Sequence, residues 1–222
     1  MSIKESLLTI KKELPDTVTL VAVSKTKPVS DLEEAYAAGQ RIFGENKIQE
    51  MTQKREVMPK DIQWHMIGHV QTNKVKYMAE YVSLVHGVDS LKLLKEINKQ
   101  AKKHNRVINC LLQMHIAEES TKFGLDKEEL NNLIDSDIFK ALENINVVGL
   151  MGMATFTDDK NQVKKEFATL KEIFSSLQSI KSTNLDVKIL SMGMSGDYKL
   201  AIDQGSTMVR IGSSIFGSRN YS

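Results

Sequence analysis

The chain has 222 residues, 41% of them hydrophobic and 26% charged, which is ordinary for a globular protein with a real core and leaves room for one large domain or two small ones. Its formal net charge is +2, with positive and negative side chains interspersed, and this excludes the clustered basic face of a dedicated nucleic-acid binder. No run approaches the roughly 18 apolar residues of a membrane span, and the single cysteine, Cys110, excludes an intrachain disulfide.

The first helix is predicted over residues 2 to 13, with Ile3, Leu7, Ile10 and Leu14 on one face. Val18 to Ser24 reads as a buried strand. Ser30, with Glu33 at the capping-box position, is expected to cap the next helix, which closes at Gly39. Ile42-Phe43 is a short second strand, and a helix runs through residues 47 to 56. Gln63 to Ile67 is strand three, followed by a short helix near residues 73 to 79, and Val82 to His86 is strand four. Ser90 then caps a helix whose Leu91, Leu94, Ile97 and Ala101 recur at helical spacing. The basic spot Lys102, Lys103, His104 and Arg106 suits that helix's C-terminus.

Strand five, Val107 to Met114, buries Cys110, and a helix is expected over residues 127 to 142. Strand six is Val147 to Met151. Asp158-Asp159 reads as the N-cap of a long amphipathic helix carrying Val163, Phe167, Leu170, Ile173, Leu177 and Ile180. Strand seven is Val187 to Leu190, Asp197 to Asp203 is helical, and Met208 to Ile211 is strand eight. Eight strands alternating with helices point to a closed (β/α)8 barrel, with an open doubly wound sheet as the alternative. No linker, repeat or low-complexity tract interrupts the chain, so residues 1 to 222 are expected to form a single domain. The N-terminus lacks the apolar stretch of a signal peptide, and a cytoplasmic setting is the expectation.

Lys25 stands at the tip of the first strand. Desolvation lowers a lysine pKa, and a neutral amine is the nucleophile that forms a Schiff base with a carbonyl. The plainer reading is a strand-end lysine entering water. Lys27 has the same strand parity, but Pro28 forces an extended exit there, which favours Lys25. Barrels commonly bind phosphate after strands seven and eight. Here those positions carry Ser191-Met192-Gly193-Met194-Ser195-Gly196-Asp197 and Arg210-Ile211-Gly212-Ser213-Ser214. Glycines admit a ligand to the backbone, exposed N–H groups bind oxygens, and Ser195 and Ser213 add hydroxyls. No P-loop or dinucleotide fingerprint is present. A Schiff-base lysine after strand one facing a phosphate cradle after strands seven and eight describes a pyridoxal 5'-phosphate (PLP) site.

Val-Ser-Lys-Thr-Lys-Pro (23 to 28), Phe-Gly-Glu-Asn (43 to 46), Ile-Gly-His-Val-Gln-Thr-Asn-Lys (67 to 74), Gly-Leu-Met-Gly-Met-Ala (149 to 154), Ser-Met-Gly-Met-Ser-Gly-Asp (191 to 197) and Val-Arg-Ile-Gly-Ser-Ser-Ile-Phe-Gly (209 to 217) follow in order along nearly the whole chain. Together they resemble the pyridoxal phosphate homeostasis protein family. The resemblance implies an α/β fold, the fold type III PLP-binding TIM barrel of the alanine racemase N-terminal domain, without the C-terminal β domain of alanine racemase. It implies that Lys25 carries the cofactor as an internal aldimine, that Ser195, Gly212 and Ser213 hold the phosphate, that Asn46 lies beside the ring, and that Arg210 faces the pyridine nitrogen. Two positions depart from the pattern. His115 stands where asparagine is common after strand five, and Thr155 where proline is common. Lys122 and Gly124 match family positions without an assigned role.

Arg210 can be read from its chemistry alone. A guanidinium offers only donors and keeps its charge, so against a ring nitrogen it would leave that nitrogen unprotonated and the ring a poor carbanion sink. A salt bridge or helix cap is the bland alternative. His65 and His69 are four apart, but without an adjacent Glu or a third ligand they do not make a zinc site. His69, Asn73 and Lys74 are expected to line the barrel mouth or cap the following helix. Glu118-Glu119 with Lys122 reads as a solvated loop, and Met151 and Met153 as core or pocket lining.

Three functions differ in class. The first is a PLP-binding protein of intracellular vitamin B6 homeostasis that buffers PLP or delivers it to apo PLP-dependent enzymes, without turnover of its own, as a monomer or weak dimer. The second is an amino-acid racemase, which needs a further domain bearing a tyrosine base. The chain ends shortly after strand eight, and Tyr36, Tyr77, Tyr81, Tyr198 and Tyr221 offer no evident replacement. The third is a Schiff-base sugar-phosphate aldolase, which would be colourless. The first is the favoured expectation.

Overall fold

The computed structural model describes residues 1–118 and 123–218. Its strands are β1 Thr19–Val23, β2 Ile42–Glu45, β3 Gln63–Met66, β4 Leu84–Val88, β5 Ile108–Gln113, β6 Ile145–Met151, β7 Leu185–Met194 and β8 Met208–Ile211. They form a closed barrel in chain order, every neighbour parallel, with β1 returning to β8 through Thr19↔Met208 to Ala22↔Ile211. The helices are α1 Ile3–Glu13, α2 Val29–Ala37, α3 Ile48–Val57, α4 Leu91–Lys103, α5 Lys127–Asp135, α6 Asp137–Lys140, α7 Lys160–Leu177, α8 Tyr198–Asp203 and α9 Ser213–Phe216, with a 3₁₀ turn over Thr72–Tyr77.

Alternation along the strands sorts the core into two parts. Leu20, Ala22, Phe43, Trp64, Val85, Cys110, Leu112, Val209 and Ile211 join the large cluster shared with the helices. Val21, Leu84, Leu111, Val148, Met151 and Met208 form a separate cluster along the barrel axis, with Met153 packed against it. On the helices the predicted apolar faces are buried: Leu7 and Ile10 on α1, Leu94, Ile97 and Ala101 on α4, and Val163, Phe167, Leu170 and Leu177 on α7. Burying each of the Leu, Ile, Val and Phe side chains among them contributes about 1.5–3 kcal/mol.

Caps at Ser90 and Asp159 fall where the sequence places them. Ser30 does not cap α2. Its N-cap is Pro28, whose ring already fixes φ near the helix-entry value, so Ser30 lies inside the first turn. The helix expected over residues 127 to 142 breaks at Ser136, whose hydroxyl accepts from the N–H groups of Ile138 and Phe139 and starts α6. The turn after β3 is a 3₁₀ helix, β4 lies two residues later than predicted, and α9 adds an element the pattern missed. β7 runs on to Met194, so half of the expected loop after it is strand. Gly149 explains one irregularity: the β6–β7 register slips between Val147 and Gly149, where φ is +155° and a Cβ would collide with the Ile189 carbonyl. No helix among the described residues is long and apolar enough to cross a membrane.

Candidate functional site

The C-terminal ends of the strands bring the sequence candidates to one rim. Lys25 follows β1 by two residues and continues the inward parity of Val21 and Val23. It is half-buried, in a turn whose next residue, Thr26, has φ +65°. The rival Lys27 is engaged elsewhere: its Nζ donates to the carbonyls of Phe216 at 2.7 Å and Ser218 at 3.1 Å. Asn46 follows β2, and its Oδ1 is buried with no hydrogen-bond partner. A buried acceptor without a donor is costly in a folded chain, and a bound group that donates would relieve it.

Across the rim, the Ser195 hydroxyl accepts from the backbone N–H of Gly212 at 3.2 Å and of Ser214 at 3.4 Å. Two N–H groups thus converge on one oxygen at the start of α9, where Ser213 and Ser214 are exposed. Gly212 packs on β1: a Cβ there would meet the Val23 carbonyl at 3.1 Å and the Val23 Cβ at 3.2 Å. This close approach sets the Ser195–Gly212–Ser213 cradle beside the strand end that carries Lys25.

Arg210 is buried in the barrel. Its Nη1 donates to the Ser191 carbonyl at 2.9 Å and the Ser191 hydroxyl at 2.7 Å, and its Nη2 to the Gly152 carbonyl at 3.2 Å. Burial pulls its pKa down to about 10, opposed by Asp197, so the guanidinium stays charged at neutral pH. The hydrogen bonds continue from Ser191 Oγ to His86 Nδ1 at 3.1 Å, and from His86 Nε2 to His65 Nδ1 at 3.0 Å. Both imidazoles are buried. Desolvation takes His65 down to about 3 and puts His86 well below its usual range, the latter helped by His65 and Arg210. Both rings are therefore neutral at physiological pH. His65 serves this pair and not His69, and no group of three metal-ligating side chains occurs among the described residues.

A second polar cluster underlies the Lys25 turn, on its outer side. Ser24 Oγ donates to Glu45 Oε1 at 2.6 Å. Lys54 Nζ donates to the Ser24 carbonyl at 2.8 Å, to Glu45 Oε1 at 2.8 Å and to Glu50 Oε1 at 2.7 Å. Glu50 Oε1 also accepts the Thr26 N–H at 2.6 Å. The Glu45 carboxyl is raised above its ordinary range, by burial first, with Lys54 pulling the other way. Sequence reasoning passed over Glu50 and Lys54, although they stand at the i, i+4 spacing of a helical ion pair. His86 gave no comparable signal, and Ser191 stood in the sequence only as part of the loop after strand seven.

At the edge of the mouth, His69 and Lys74 line with Asn46 and Gln71 a cavity of about 330 Å³. His69 stacks on Phe123 with ring centroids 4.4 Å apart, and its Nδ1 lies 3.3 Å from Asp89. Gly124 has φ +141°, and a Cβ would sit 2.5 Å from the His115 nitrogen, which accounts for glycine there. The departure at Thr155 is built in. Its N–H and hydroxyl each donate to Glu166 at 2.7 Å, and proline would supply neither. Tyr36, Tyr81 and Tyr198 bond through their hydroxyls to Asp61, Thr52 and Glu13. Glu119, Lys122 and Tyr221 lie outside the described residues. The donor set on the rim, an amine at one side with paired N–H groups and hydroxyls at the other, suits a ligand with a carbonyl at one end and a phosphate at the other.

Residues 2–220 match the family model described as alanine racemase, N-terminal domain. The chain is 39% identical over 203 residues to the pyridoxal phosphate homeostasis protein of Aquifex aeolicus, covering 91% of this chain and 87% of that one. Among solved structures, it is similar to PipY of Synechococcus elongatus PCC7942 with PLP bound, at TM-score 0.88 and 34% identity, covering 97% of this chain and 100% of that one. The barrel also matches an alanine racemase of Clostridium difficile at TM-score 0.81 and 16% identity, a likeness of fold, with all of this chain (100%) covering 60% of that one.

Proposed function

This chain belongs to the pyridoxal phosphate homeostasis protein family, and from that premise we propose that it binds PLP on Lys25 and buffers or delivers it in intracellular vitamin B6 homeostasis, without turnover of its own. The names of its relatives support the ligand, and the rim described above fits it. When bound, PLP supplies an aldehyde that condenses with a primary amine and a ring that withdraws electrons. Lys25 offers that amine. Ser195, Gly212 and Ser213 would hold the phosphate, close to where the Gly212 and Ser214 N–H groups converge on the Ser195 hydroxyl, and Asn46 would lie beside the ring. Arg210, held by Ser191 and Gly152, would face the ring nitrogen and, as a cation at neutral pH, would keep a proton off it.

The observation that carries this reading is the packing of Gly212 on Val23, which brings amine and cradle to adjacent strand ends. In this proposal residues 1–222 act as one domain, a monomer or weak dimer in the cytoplasm, passing PLP to apo PLP-dependent enzymes. The test is a titration of the purified full chain with PLP. A near-visible absorption band should saturate near one equivalent in the wild type and be missing in Lys25→Ala. Single enantiomers of several amino acids should keep their optical activity with the loaded protein. Sustained racemisation would refute the non-enzymatic part of the reading, and an unchanged band in Lys25→Ala would refute the site.

A further inference from the structure

Three of the contacts around Lys54 and Glu45 bear on the two residues that flank Lys25. Lys54 grips the Ser24 carbonyl, Glu45 the Ser24 hydroxyl, and Glu50 the Thr26 N–H. All three Lys54 protons are used, at 2.7–2.8 Å, and its side chain is 6% exposed while that of Glu45 is 0% exposed. A surface ion pair would not need this. Buried ion pairs are expensive to desolvate, and hydrophobic replacements are often as stable, so such a cluster is weak evidence of stabilisation and better evidence of a geometric task. The task is visible in the backbone. Thr26 is one of two non-glycine residues at positive φ among those described, a conformation that costs energy and persists only where neighbours hold it. Lys27, tied to the Phe216 and Ser218 carbonyls, closes the far side of the turn.

We propose that Glu45, Glu50 and Lys54 are positioning residues that clamp the turn on either side of Lys25 and so aim its amine across the mouth at the carbonyl of the bound ligand. The inference rests on the reading of Lys25 as the attachment point. Its contribution is to the rate of capture, since the clamp touches neither the cradle at Ser195 and Gly212 nor Arg210. An amine held by a mobile turn would still meet the aldehyde, but in the right geometry for less of the time.

The experiment compares the wild-type full chain with Glu50→Ala, Glu50→Gln and Ser24→Ala. Glu50 is partly exposed on α3, where alanine is a good helix former, and Ser24→Ala leaves the ion pairs in place. Amide hydrogen exchange is read without ligand. Glu50→Ala should speed exchange at Thr26 about tenfold or more while the amides of α3 keep their protection. Glu50→Gln, which retains an acceptor, should restore most of that protection. Capture of PLP is then followed by absorbance, beside equilibrium binding of pyridoxine 5'-phosphate, which has the phosphate and no aldehyde. Glu50→Ala and Ser24→Ala should slow capture about tenfold and leave pyridoxine 5'-phosphate affinity within about twofold. Unchanged Thr26 exchange, unchanged capture, or equal loss of both ligands would each overturn the clamp. A wild type that never forms an adduct on Lys25 would refute the proposed function instead, and the proposal would fall with it even if Thr26 were protected.

Discussion

On the β1–β2 side of the mouth, the turn bearing Lys25 is held by a buried lysine and two carboxylates, whereas on the β7–β8 side a half-buried serine hydroxyl and two backbone N–H groups do the holding. The two sides are built for different tasks. Charges closed off from water fix a geometry stiffly, and losing one partner strands the other. Neutral donors near solvent yield easily to an incoming anion, because water or phosphate can replace the serine oxygen. The amine side is built to stay put, and the phosphate side to exchange partners.

The sharpest way to break that contrast is to strip the charge from the rigid side. Lys54→Met keeps the length of the side chain and leaves Glu45 buried without its cation, so it should destabilise the fold by about 3–5 kcal/mol in urea unfolding. A loss below about 1 kcal/mol would mean that the cluster is solvated and holds nothing. Next in size is an effect of acid on the pair that lies between the two sides. Folded His65 titrates at about 3 and the unfolded side chain near 6.5, so the unfolded chain binds the extra proton between those values. That stability is complete above pH 6.5 and falls as the pH drops, by about 1.4 kcal/mol per pH unit for each histidine that must charge. Urea midpoints measured between pH 7 and pH 5, above the range of exposed carboxylates, should show the slope, and it should shrink in His65→Phe. The smallest effect belongs to the exchangeable side. Ser195→Ala should weaken PLP binding about tenfold, roughly 1.4 kcal/mol, while the adduct still forms at saturation. If unfolding stability fell as far as in Lys54→Met, the two sides would not differ in kind.

Alternation of strand and helix was legible because each buried strand and each amphipathic helix face repeats its own period, and so the barrel could be read before any contact was known. The rim candidates were legible for a related reason: strand ends fix where loops gather, so Lys25 and the Gly212–Ser213 turn could be placed from topology alone. What lay hidden depends on pairings between distant strands. Ser191 meets Arg210 on the neighbouring strand β8 and His86 on the non-adjacent β4, and nothing in the local sequence of any of them announces the others. Glu45 was visible as part of Phe-Gly-Glu-Asn, but outward parity, not sequence, sends it under Ser24 toward Lys54. Ser136 misled because a serine inside an apolar periodicity reads as a helical surface position, whereas here its hydroxyl starts a new helix.

The most direct measurement is chemical. The full chain is mixed with PLP, reduced with borohydride, digested and weighed peptide by peptide. One pyridoxyl group per chain is expected, on Lys25, with Lys27 and Lys54 untouched. Modification of Lys27 or Lys54 in place of Lys25 would contradict it.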